Sequence, residues 1–144
     1  MQKPDLKIEF EAVVGSEEQV LVLYALLKQR KHTISHKNLP EFEEHKNFVL
    51  SHPYVDWFII RFDGEPMGSF YTKNDNSIGL NLLVQNQQHV ANVIDFIRLN
   101  LRPKPASSSE VPAYFYMNVP YSNIELQKIL SDSDIIPIQV SYML

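Results

Sequence analysis

The chain contains no cysteine. Thiol nucleophiles, disulfides and Cys-ligated zinc are therefore excluded, and acid–base work falls to histidine and carboxylate. His45 follows Glu44 directly. A histidine beside a carboxylate titrates near neutrality and can serve as a general base. On a helix, however, adjacent residues diverge by about 100° and do not pair, so the residues favour a packed, hydrogen-bonded His45 in the core or a substrate groove over a general base. His32 and His36 stand four apart in the polar, loop-like stretch 31–38. With no third ligand at a suitable spacing, no metal site is expected, and His36 remains as a second candidate base. The third point of interest is 78–92, where the apolar run Ile78 to Val84 leads into an amphipathic helix. A strand feeding a helix N-terminus can hold a phosphate on its free amides. Yet Gln87, Gln88, His89, Val90, Ala91 and Asn92 include no glycine, lysine or arginine.

The remaining elements must position these residues. Lys7 to Val14 alternates as a strand and Gly15 ends it. Ser16 to Gln19 reads as a capping box, opening a helix to about Arg30 with Val20, Leu23, Tyr24 and Leu27 on one face. Pro40 suits a first helical turn, the acidic Glu41, Glu43 and Glu44 suit its dipole, and His52-Pro53 stops it. Strands are expected at 55–62, 67–73 and 78–84. Asp63-Gly64 marks a hairpin, which Glu65-Pro66 would make longer than two residues. Gln87 to Leu101 carries a helical stripe of Val90, Val93, Ile94, Ile97 and Leu101. The Pro- and Ser-containing stretch 102–112 reads as an exposed loop. A strand at 113–119 and a capping box at 122–125 with a short helix to about Leu130 follow. A last strand is expected at 135–143, with Pro137 placing it at an edge or bulge. This order predicts one mixed α/β domain over 1–144: three hairpin-linked antiparallel strands, then parallel pairing through crossover helices, with helices on both sheet faces.

Hydrophobic residues make up 44% of the chain, charged residues 21%, and net charge is −4. That balance fits a globular domain and argues against a general nucleic-acid binder, which would be basic. No apolar run reaches the roughly 20 residues of a membrane span, and no signal-peptide core opens the chain. A cytoplasmic location is expected.

The element order and several stretches resemble the GNAT N-acyltransferase superfamily. These are Leu23–Arg30, Ile34–Lys37, Pro40–Val49, Pro53–Ile60, Gly68, Ile78-Gly79, Asn118-Val119-Pro120 and Gln139–Tyr142. They are closest to a bacterial branch that accompanies sugar-amine and surface-polysaccharide biosynthesis. The resemblance covers nearly the whole chain. It implies a GNAT-like, mostly antiparallel central sheet flanked by helices on both faces. It also implies acetyl-CoA or another acyl-CoA as cofactor and a small-molecule amine as acceptor. No nucleic acid and no membrane are implied, and a homodimer is allowed. It further implies that main-chain groups of Leu82 and Val84 meet the pantetheine arm. The pyrophosphate would lie on a loop of pattern Gln/Arg-x-x-Gly-x-Gly/Ala. Gln87 matches its first position, but Val90 and Asn92 stand in the glycine places, and Val is stiff at such a turn. Asn118 or Asn123 supplies the asparagine expected after the fifth strand. The tyrosine expected in the last helix, which would protonate the leaving thiolate, is missing from Ile124–Leu130.

Two readings follow. One is a divergent N-acyltransferase moving an acyl group from CoA to a small amine, such as an aminosugar nucleotide. Its candidate catalytic residues are His45, His36 and Asn118, and its cofactor contacts are Leu82, Val84, Gln87 to Asn92 and Asn123. The other is a non-catalytic GNAT-fold module that binds a small ligand or a protein.

Overall fold

The computed structural model describes residues 6–30, 39–106 and 111–144. Among the described residues, five strands form one sheet in the order β1-β2-β3-β4-β5. They are β1 (Ile8–Ala12), β2 (Asp56–Phe62), β3 (Glu65–Thr72), β4 (Ser77–Leu82) and β5 (Tyr116–Met117). Pairing is antiparallel from β1 to β4, and parallel between β4 and β5. Four helices among the described residues cover the sheet: α1 (Glu17–Gln29), α2 (Phe42–Ser51), α3 (Gln87–Asn100) and α4 (Ile124–Asp132).

Strand alternation divides the core in two. Ile60, Phe62, Phe70, Ile78 and Leu82 pack with Val90, Val93 and Ile97 of α3 and Leu126 of α4. On the opposite face Ile59 packs with Val20, Leu23 and Leu26 of α1 and Val49 of α2. Helices therefore lie on both faces, as expected.

The β2–β3 hairpin is tighter than expected. Asp63 and Gly64 take φ of 50° and 86°, the two positive values of a type I′ turn, and Pro66 lies inside β3 opposite Arg61. Proline has no ladder donor, and the register shifts there, between Ile60 and Arg61. α1 begins with Ser16 Oγ accepting from Gln19 N at 3.2 Å. The buried Gln19 side chain accepts from Val14 and Gly15 N–H, fixing the β1–α1 turn. α2 begins at Phe42, and Pro40 lies before its cap, accepting a hydrogen bond from Tyr24 OH at 2.8 Å.

Two expectations change at the C-terminal end. β5 is two residues long rather than seven. The stretch 135–143 forms no strand; it is exposed from Ile136 onward and has no neighbour in the sheet among the described residues. A strand pattern in the residues supplies side-chain alternation but not the partner that a ladder requires.

Candidate functional site: the gap between β4 and β5

The β4–β5 ladder holds at Ser77↔Tyr116 and Ile78↔Met117 and ends with Asn118 N–H donating to Ile78 O at 3.0 Å. Beyond that point the strands part. Its origin is fixed by Asn76, which is 1% exposed with φ 68°. The Asn76 side chain donates to Lys104 O and Pro112 O and accepts from Lys104 N. Its main-chain carbonyl accepts from Tyr116 N–H. One buried amide thus ties the start of β5 and the stretch leading to it to the β3–β4 turn.

Ser77 O accepts from Lys73 N–H just past β3, and Leu83 N–H donates to Met67 O of β3, so odd-numbered main-chain groups of β4 face β3. Even-numbered ones, at Leu80 and Leu82, face the widening gap. The gap holds a cavity of ≈ 100 Å³ lined by Gln29, Leu80, Asn81, Leu82, Leu83, Gln85, Pro120, Asn123 and Glu125. Drug-sized ligands occupy roughly 300–1,000 Å³, so the gap is narrow as it stands. Its narrowness has a visible cause. The Gln85 and Asn123 amides exchange two hydrogen bonds of 2.9 Å, each donating to the other's oxygen. Asn123 Oδ1 also caps α4, accepting from Leu126 N at 3.2 Å. The α4 cap is therefore Asn123, one residue later than the Ser122 of the expected capping box, and Asn123 is a satisfied, buried bridge rather than a free polar contact. Glu125 is the one carboxylate among these lining residues.

The expected cofactor loop is revised. The β4–α3 connection is Leu83 to Asn86, and α3 begins at Gln87. Gln87 to Asn92 are thus the first turns of a helix, not a loop. Val90 is 1% exposed and packs within the core on the α3 side of the sheet. His89 packs on the Phe62 ring at 4.2 Å, and its Nδ1 lies 3.0 Å from Val84 O. The exposed Gln88 donates to Asn92 Oδ1 at 3.2 Å, and Ala91 is half-buried. Asn86 Oδ1 accepts the His89 N–H at 2.8 Å, so the helix supplies its own cap, and an anion there would compete with it. Val84 lies beyond β4 and is exposed, whereas Leu82 lines the cavity.

The catalytic candidates do not converge. His45 is 3% exposed, in contact with Tyr24 and Phe42. Its Nε2 lies 2.9 Å from Val20 O, which makes Nε2 the protonated nitrogen. Burial lowers its pKa, and the Val20 carbonyl partly offsets this. His45 thus joins α2 to α1 and does not line the cavity. Asn118 marks the point where the strands part, with its side chain exposed. His36 and His32 lie outside the described residues. No cluster of metal-ligating side chains occurs among the described residues.

Other residues near the gap were not anticipated. Tyr71 lies across Gly79 of β4, leaving no room for a side chain there. Its ring stacks on Tyr54 with centroids 3.9 Å apart. Burial is the main cause raising both phenols, Tyr54 far above the ordinary range, so both stay neutral. A legible signal was Gly79 inside an apolar strand, since such a glycine marks close approach. For Gln85 and Asn123, 38 residues apart, no local pattern links the pair.

No family model and no curated protein matches the chain. Solved structures do. An aminoglycoside N-acetyltransferase, AAC(6')-Iy, in complex with CoA aligns over 100% of this chain and 97% of its own, with TM-score 0.59 and 12% identity. A domain from Methanocaldococcus jannaschii DSM 2661 aligns over 90% and 88%, with TM-score 0.59 and 14% identity. The spermidine N-acetyltransferase from Vibrio cholerae, in a dodecameric structure, aligns over 87% and 77%, with TM-score 0.51 and 11% identity. Identities this low speak to architecture, and the chain has a GNAT-like fold: a mixed, mostly antiparallel five-stranded sheet with helices on both faces, parted between β4 and β5.

Proposed function

We propose that the chain is a divergent N-acyltransferase. It takes the pantetheine arm of acetyl-CoA or another acyl-CoA between β4 and β5 and passes the acyl group to a small amine, an aminosugar nucleotide being the class suggested by the sequence resemblance. The observation that carries this reading is the two-pair ladder that opens at Ile78/Asn118 and turns the main-chain groups of Leu80 and Leu82 into the gap. Such groups can bond the amides of an extended ligand as a neighbouring strand would. The likeness to a CoA-bound N-acetyltransferase supports it.

The chemistry asks little of the protein beyond positioning. The neutral amine attacks the thioester carbonyl, a C–N bond forms, the C–S bond breaks, and the proton shed by nitrogen balances the departing thiolate. Glu125 lines the cavity and can receive that proton and release it to neutralise the departing thiolate, with Asn118 at the point of parting. An acyl-CoA user of this kind works in the cytoplasm, and we propose a homodimer as its assembly.

The second reading, a ligand-binding module without activity, is favoured by the Gln85–Asn123 bridge across a small cavity and by the lack of a tyrosine in α4. A thermal-shift titration with CoA and acetyl-CoA, paired with a thiol-release assay over a panel of amines, separates the two. Acyltransferase function predicts a dose-dependent rise in Tm and thiol release with at least one amine. Stabilisation without release supports the module; no stabilisation contradicts both as CoA binders.

A further inference from the structure

A pair of phenols stands at the closed end of the β4–β5 gap. The ladder ends at Ile78, so Gly79 is the first β4 residue beside the gap. The ring and hydroxyl of Tyr71 occupy the space where a Cβ of residue 79 would stand. Tyr71 pairs with Trp57 across β2–β3, and Trp57 packs with the α1 and α2 core, so both lie on that face of the sheet. An extended arm that enters beside Leu82 brings its far end toward the Tyr71 phenol. Tyr71 stacks on Tyr54 with centroids 3.9 Å apart and planes 3° from parallel. Trp57 meets Tyr54 edge-on at 5.0 Å. These ring contacts hold both half-buried phenols in place. Their hydroxyls are not absorbed in the same way. The Tyr24 hydroxyl donates to a carbonyl, that of Pro40; among the described residues no carbonyl takes the hydroxyl of Tyr54 or Tyr71.

The charge around these hydroxyls is one-sided. Arg30, the C-cap residue of α1, acts on both phenols. Its neighbour Gln29 lines the cavity, so the end of α1 reaches the gap. Lys73 Nζ lies 5.8 Å from the centre of the Tyr71 ring. No carboxylate of the described residues pairs with Arg30. Asp56 alternates onto the other face with Thr72, whose Oγ1 donates to it at 2.6 Å. The sequence has the same bias: 21–40 holds Lys28, Arg30, Lys31 and Lys37 and no Asp or Glu, in a chain of net charge −4. The α1 dipole favours a cation in its last turn, and Lys28 meets that need, 4.8 Å from the centre of the Tyr24 ring. Arg30 lies past the helix. A guanidinium offers a planar fork to a carboxylate or phosphate. Burial raises both phenols, so they keep their protons and can donate to the same anion.

We propose that Arg30 and the hydroxyls of Tyr54 and Tyr71 bind an anionic group of the acceptor, a carboxylate or a phosphate, so that the amine acylated at this gap is one that also carries negative charge. Arg30 supplies the ion pair and the two hydroxyls fix the direction of the anion, which leaves the amine toward the gap. Glu125, on the α4 side, is left for the proton. A polycationic amine would instead meet like charge at Arg30 and Lys73. This inference rests on the acyltransferase reading above and names the class of its acceptor: a primary amine joined to an anion, as in an amino acid or a phosphorylated amino sugar.

Matched amines that differ in the anion alone test it: tyramine against tyrosine for a carboxylate, glucosamine against its phosphate monoester for a phosphate. Isothermal titration of each into the native protein, Arg30→Gln and Tyr71→Phe, with and without CoA, reads binding apart from chemistry. Thiol release from acetyl-CoA reads the chemistry. The anionic member of at least one pair should bind at least about tenfold tighter than its partner, the increment of one charge-assisted hydrogen bond. The pair that shows it tells carboxylate from phosphate. Arg30→Gln should remove the preference. Tyr71→Phe keeps the stacked ring, and with it the fold, and should weaken the preference several-fold. Absent or equal binding within both pairs, a preference that survives Arg30→Gln, or thiol release with spermidine and with no anionic amine overturns the inference. A preference that Arg30→Gln removes, without thiol release from any amine, upholds the anion site and contradicts the acyltransferase reading.

Discussion

At the scale of single residues, side-chain burial decides between roles that residue type leaves open. Val90 is the clearest case. As a loop residue in a glycine's place, it would be restored to anion binding by Val90→Gly. As a fully buried helix residue, it loses core packing and gains helix-breaking entropy instead. Val90→Gly is therefore expected to cost roughly 3–4 kcal/mol and not to raise CoA affinity; urea unfolding and a CoA titration of the same variant check both parts. His45 makes a pH prediction. Burial lowers its folded pKa below the unfolded value of about 6.5, so below that pH the unfolded state binds more protons. Its contribution is complete above pH 6.5 and is lost as pH falls toward the folded pKa. Urea midpoints should drop between pH 7.5 and pH 5.5, and His45→Gln should flatten that drop. The window lies above that of Glu11 and Asp75, whose lowered carboxyl pKa values act below the ordinary carboxylate range.

At the scale of elements, the site is made by where strands stop. Asn76 holds three side-chain hydrogen bonds at positive φ and so sets where β5 begins. Asn76→Ala removes three part-buried hydrogen bonds from a positive-φ position and should cost at least about 2 kcal/mol, read by chemical denaturation. Gln85 and Asn123 bridge the gap but differ in a second duty. Asn123 also caps α4, so Asn123→Ala should destabilise the fold by about 1 kcal/mol more than Gln85→Ala does. Most elements could be foreseen: α1, α3 and the three hairpin strands follow from period and turn residues such as Asp63-Gly64. The site could not, because its parts are non-local. The ladder length at Ile78/Met117, the Gln85–Asn123 exchange and the Asn76 ties to Lys104 and Pro112 join residues tens of positions apart. The α3 start at Gln87 was legible, but the place of Val90 was not: it satisfies both a helical stripe and a position in a loop motif, and only packing against the sheet separates the two.

At the scale of the whole molecule, one fold presents a parted sheet, an exposed apolar segment at 136–144 and a gap closed by its own amides. If the chain is a homodimer, its apparent stability depends on protein concentration, and Tm should fall as the native chain is diluted; a Tm independent of concentration would contradict the dimer. The central claim is that the β4–β5 gap takes an acyl-CoA arm and that the Gln85–Asn123 bridge must yield to it. Breaking two neutral hydrogen bonds costs about 0.5–1.5 kcal/mol each, so a protein already lacking the bridge should bind more tightly. Isothermal titration of CoA into the native protein and into Gln85→Ala tests this directly. The account predicts measurable binding by the native chain and an affinity roughly five- to hundredfold higher in the variant. Absence of binding by both proteins at high micromolar CoA, or equal affinities, would contradict it.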